Sequence, residues 1–162
     1  MKWKTYLIAQ ALGVAAFNAV CNASYAAYLW QAPVLSLDRI GVDLAMTPIW
    51  IGLLSVLFGT PFVRKALADG RMMQEAKLRA PLLAMLLPRN LVLRAITAAA
   101  LCAVLFSFPL ALLLPWLGDG LLTQADAIGG KVIITIAFSL ILVPLVAYAT
   151  IADMPATEAV RA

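Results

Sequence analysis

Residues 132–152 read VIITIAFSLILVPLVAYATIA, a run with no charged side chain. At 1.5 Å per residue, a helix of this length covers about 30 Å, the thickness of a bilayer's hydrocarbon core. Windows 6–28, 44–63 and 95–117 have the same character. Composition agrees: 64% of the chain is hydrophobic and 12% charged, against about 25% charged for an ordinary soluble domain. The sequence therefore predicts one all-α, polytopic membrane domain over 1–162 with four transmembrane helices.

Charge placement predicts the threading. Lys2 and Lys4 precede the first window, seven Lys and Arg from Arg64 to Arg94 separate the second from the third, and Arg161 follows the fourth. The other two gaps hold only Arg39 and Lys131 as basic residues, beside Asp38, Asp43, Asp119 and Asp126. Basic residues gather on the cytoplasmic side of short loops, so both termini and the 64–94 loop are expected in the cytoplasm. The pI near 9.3 is thus read as a topology signal, and no nucleic-acid partner is expected. The Met1-Lys2-Trp3-Lys4 start also has the look of a signal peptide. Its apolar run is long for one and is interrupted by Asn18 and Asn22, so the first helix is expected to be retained.

Short first and third connections predict two antiparallel helix hairpins, each starting and ending inside. Asp38, Ile40, Gly41, Thr47 and Trp50 match Asp126, Ile128, Gly129, Thr135 and Phe138 at a constant offset of 88. If the hairpin is duplicated, its copies share one orientation and are related by a twofold axis along the membrane normal. Pro48 is expected near the start of the second helix, with Pro61, Pro109 and Pro144 inside or near the ends of helices. Trp3, Tyr25, Tyr28, Trp30 and Trp116 are placed at the interfaces. In the basic loop, Glu75 and Arg79 are spaced for a short helix and Leu82, Leu83, Met85, Leu86 and Leu87 form an apolar patch. This loop is expected to lie on anionic headgroups.

Missing residue types narrow the chemistry. The chain has no histidine, which removes histidine haem ligation, metal sites and proton relays built on imidazole. Cys21 and Cys102 are read as separate buried thiols, too far apart in height to pair. No Asp or Glu falls in a window, and no nucleophile with a base is visible. The expectation is therefore no catalytic residue, no cofactor, no metal and no enzyme. What remains is uncharged polarity: Gln10, Asn18 and Asn22 fall on one face of the first helix and must point into protein. They read as interhelical glue or as an amide-lined path. Thr47, Thr97, Ser107, Thr135 and Ser139 can each bond a carbonyl of their own helix. Lys131 at the outer mouth is expected to pair with Asp126, Asp43 or Asp38, or to reach lipid phosphate.

The stretch Thr60-Pro61-Phe62-Val63-Arg64-Lys65-Ala66-Leu67, after an Asn-bearing first helix, resembles a group of small bacterial inner-membrane proteins sometimes labelled permease-like. That resemblance covers mainly residues 1–70 and implies a bacterial inner membrane without a catalytic residue. The reading is a non-enzymatic subunit, scaffold or homo-oligomer with a membrane-protein partner or a second copy; the alternative is a small oligomeric transporter or channel.

This threading is testable by single-cysteine labelling. In intact cells, Ser36→Cys and Gln124→Cys react with an impermeant thiol reagent and Gln74→Cys does not; labelling at position 74 would reverse the orientation.

Overall fold

The computed structural model describes residues 3–71, 85–116 and 120–153. Glu75, Arg79, Leu82 and Leu83, and with them the expected basic helix of the loop, lie outside the described residues. Helix α1 covers Trp3–Leu29 and α2 covers Leu37–Ala68. The third span combines α3 (Leu91–Cys102), a π turn (Ala103–Ser107) and α4 (Phe108–Leu113), followed by a 3₁₀ turn at Leu114–Trp116. Helix α5 covers Gln124–Ala152. Four spans in this all-helical fold are long and apolar enough to cross a membrane.

Local chemistry sets the helix ends. The Asn90 carboxamide accepts from the backbone N–H groups of Val92 and Leu93 at 3.0 and 3.1 Å, satisfying two orphan donors at the start of α3. Thr123 does the same for α5 through Asp126 N–H. The π turn precedes Pro109, which has no N–H and whose ring crowds the carbonyl four residues back. The ladder responds by widening, and Phe108 N–H reaches Ala103 O.

Each end of the bundle has its own cluster. Leu7, Val63, Ala147 and Ile151 meet at the end carrying the chain termini, called here the basic end. Ala26, Trp30, Ile40, Leu44, Leu114 and Ala127 meet at the other. Helices α2 and α5 therefore run parallel, and α1 and the third span run against them. Packing departs from that of two self-contained hairpins. Helix α1 lies along α5, α5 along α2, and α2 along α3. The first and third spans thus pack on the fourth and second, and not on the helices that follow them in the chain as paired hairpins would.

A feature absent from the sequence reading joins the hairpins. Residues Val34–Ser36 (β1) and Leu121–Thr123 (β2) form a two-stranded antiparallel ribbon, with Val34 opposite Thr123 and Leu35 opposite Leu122. At the 88-residue offset Val34 is equivalent to Leu122 and Leu35 to Thr123, so in these two rungs each residue pairs with its neighbour's equivalent. That is the register of a local twofold axis. The helix contacts obey the same exchange, since α1 on α5 is the counterpart of α3 on α2.

Three placements differ from expectation. Pro48 is buried well inside α2, because that helix begins at Leu37. Trp30 is buried in the ribbon-end cluster and is no interface anchor, while Tyr25, Tyr28 and Trp116 are exposed. Cys21 is exposed and Cys102 buried; both are free.

Close approach of α2 to α3 rests on Gly52. A Cβ there would lie 2.6 Å from Cys102 Sγ and 3.4 Å from Ala98 O. Gly52→Val should destabilise the bundle by about 1–3 kcal/mol through overpacking, read as a lower thermal midpoint in detergent. Gly13→Ala, where the Cβ meets nothing within 4 Å, should leave it unchanged.

Candidate binding pocket

Two buried ion pairs organise the polar interior. At the ribbon end, Lys131 of α5 is 2% exposed at its side chain and donates to Asp43 Oδ2 of α2. Its ammonium also sits 5.0 Å from the centre of the Tyr25 ring and 5.2 Å from that of Trp30. Both rings turn their faces to a charge whose unpaired burial would be expensive. Asp43 is 34% exposed, so it is the half of the pair that meets open space. Residues 43 and 131 are also equivalents at the 88-residue offset: one copy supplies the acid, the other the base, beside the local axis.

At the basic end, Arg94 is fully buried. It donates to Pro88 O at 2.7 Å, to Thr150 Oγ1 at 3.0 Å and to Asp153 Oδ2. Arg89 reaches the other oxygen of Asp153 at 3.7 Å, and Arg64 donates to Arg89 O at 3.1 Å. This network fastens the chain before α3 to the ends of α2 and α5. Sequence reasoning counted Arg94 only as a topology charge. Its position one turn inside an Asn-capped helix was the available signal.

Of the expected polar residues, the fold brings four together. Asn18, Asn22, Asp43 and Lys131 line one pocket of about 490 Å³ between α1, α2 and α5, with Tyr25, Thr47 and Trp50 in its walls. Asn18 Nδ2 donates to Ser139 Oγ at 3.0 Å, tying α1 to α5, and Asn22 Nδ2 donates to Asn18 O at 3.0 Å. Thr47 donates to Asp43 O at 2.8 Å. Gln10 lies further down α1, its Oε1 buried without a partner. Asp38 is exposed and away from the pair, and Asp126 is engaged at the helix start, where Thr123 Oγ1 and its Oδ2 are 2.6 Å apart. Ser107 and Thr135 do not bond their own helix; both hydroxyls are buried and unpartnered.

The pocket has a filled counterpart. Asn18 is equivalent to Phe106 and Trp50 to Phe138, and those two phenylalanines pack with ring centres 4.8 Å apart. Around them Ile51, Cys102 and Leu142 close the crevice. One half of the repeat is therefore plugged by aromatic rings, and the other is open and polar.

Among the described residues no group of His, Cys, Asp or Glu is arranged to hold a metal. Fold and site define an all-helical, multi-pass membrane protein with a buried ion pair beside an open polar pocket. Comparisons with protein-family models, with curated proteins and with solved structures give no match.

Because the pair is buried and its members occupy equivalent positions, it should behave as a unit. Asp43→Asn should cost about 3–5 kcal/mol by stranding the buried ammonium, and Lys131→Met less, because Asp43 meets open space. The exchange Asp43→Lys with Lys131→Asp should recover most of that loss, checked by thermal unfolding of the four proteins. Additive losses in the double variant would dissolve the pair as the joint.

Proposed function

We propose that the chain is a non-enzymatic component of a bacterial inner membrane, crossing it four times with both ends in the cytoplasm, that holds a polar group in the ribbon-end pocket. The observation carrying this reading is the pocket itself. It presents the outward half of a buried ion pair beside two carboxamides, where an equivalent crevice is packed shut. A purely structural bundle gains from filling such a space, as Phe106 and Phe138 do.

Binding fits the residues better than turnover. Cys21 is the nucleophile in the wall, and among the described residues no base is hydrogen-bonded to it. Lys131 is committed to Asp43 and to two aromatic rings, so it is poorly placed to exchange protons. Orientation is supported by charge: Arg64, Lys65, Arg71, Arg89 and Arg94 gather at the basic end. Of these, the ones outside the core suit anionic headgroups, Arg94 being buried. Exposed Val104, Phe108 and Leu112 on the third span give an apolar face for a second copy or a membrane-protein partner. A transporter reading is favoured by one feature, the opening of the polar pocket into the crevice between α1 and α2.

Native mass spectrometry after mild solubilisation tests the proposal. A bound species should accompany the wild-type protein and be lost from the double variant Asn22→Leu, Thr47→Val, whose thermal midpoint stays within a few degrees. A ligand-free wild type would remove the binding role. Solute flux in liposomes, abolished by Asn18→Leu with Asn22→Leu while assembly is intact, would replace it with transport.

A further inference from the structure

The crevice between α1 and α2 continues from the polar pocket toward the basic end. Asn18 and Leu54 line both parts. Beyond them lies a further 380 Å³ or so walled by Phe17, Phe58 and Phe62 and floored by Val143. Ser55 also faces this space; it is 7% exposed and its hydroxyl has no partner. Gln10 Oε1, on the opposite wall, is likewise buried and unpartnered.

Polar lining at the ribbon end giving way to phenylalanine from mid-span onward is the profile of one amphiphile entering from the ribbon end. Its head would sit at the surface and its chain would point to the bilayer centre. The head's chemistry follows from the charges. Asp43 is already matched by the ammonium of Lys131 behind it, so a cationic head would find no free countercharge. An anionic head would meet Asp43, the exposed member of the pair. Hydroxyls avoid both conflicts, because each donates and accepts. They can donate to the outer carboxylate oxygen and the amide oxygens, and accept the amide N–H that Asn22 does not spend on Asn18 O.

Resting on the binding role above, we propose that this crevice holds a single-chain amphiphile with an uncharged, hydroxyl-bearing head, its head at Asp43 and Asn22 and its chain between Phe17 and Phe58.

The test uses the full chain in phosphatidylcholine nanodiscs and three probes with one acyl or alkyl chain length and a photoreactive group at the chain end. They are a monoacylglycerol, its phosphate ester and a primary alkylamine. The monoacylglycerol should label α1 and α2 near Phe17 and Phe58 at about tenfold lower concentration than either charged probe, a difference of about 1.4 kcal/mol. Gly59→Ala, whose Cβ meets only Val146 Cγ1 at 3.7 Å, should leave the thermal midpoint unchanged, and Gly59→Leu, which reaches further into the crevice, should abolish that labelling. A charged probe that labels as well or better would overturn the hydroxyl head and leave the binding role standing. Unaltered labelling in Gly59→Leu would overturn the crevice as the chain's seat. No specific labelling by any probe would overturn this inference and the binding role together.

Discussion

The Asp43–Lys131 ion pair is the constraint on which the rest depends. Neither charge is tolerable alone at that depth, since an unpaired ion in a low-dielectric interior costs several kcal/mol even after relaxation. The two residues belong to different hairpins, so satisfying them fixes α2 beside α5 in parallel and in one register. That register brings β1 opposite β2 and sets Thr60 near Thr150, whose hydroxyl oxygens are 3.4 Å apart at the other end. The pair's net energy is small compared with its penalty for misalignment, which makes it a device of specificity more than of strength.

A second consequence is symmetry that is kept in the backbone and broken in the side chains. The parallel α2–α5 centre, the crossed packing of α1 and α3, and the ribbon all follow the 88-residue offset. Their linings do not. Ala95 and Ala98 of the third span share a cluster with Val146 and Ala149 of α5, and phenylalanine rings fill the crevice above. On the other side α1 carries Gln10 and Asn18 at the equivalents of Ala98 and Phe106, and α2 carries Ser55 and Gly59 where α5 has Val143 and Ala147. The polar members, Gln10, Asn18 and Ser55, are all on one side, and that side is open.

Much of the architecture was legible because hydropathy is a local property. Four uncharged runs gave four helices, and the ribbon and the helix contacts are compatible with the offset of 88. Asp43 is among the partners expected for Lys131, but the depth of the pair is hidden because averaging counts a charge against a span: the second and fourth windows start at Leu44 and Val132, one residue past Asp43 and Lys131. Those helices in fact begin at Leu37 and Gln124. This also put Pro48 inside α2 where a helix start was expected. Trp30 was read as an anchor from its position near a boundary, but the ribbon folds over it. Arg94 hides for a different reason. Its partners, Thr150 and Asp153, are far away in sequence, and no local pattern announces a contact of that range.

Why the crevice stays open is a question about α1. This helix gains its place almost wholly from α5, through Leu7 against Ala147 and Ile151 at one end and Asn18 to Ser139 nearer the other. Moving it toward α2 would bury Phe17, Phe58 and Phe62, but hydrocarbon solvates those rings as well as protein does, so a bilayer supplies little hydrophobic drive for closure. Closure would also break the Asn18–Ser139 bond and draw Tyr25 away from Lys131, exposing the ammonium that it shields. The amide bond and the aromatic cover on the ion pair therefore hold α1 to α5, and the space beside α2 is what that choice leaves.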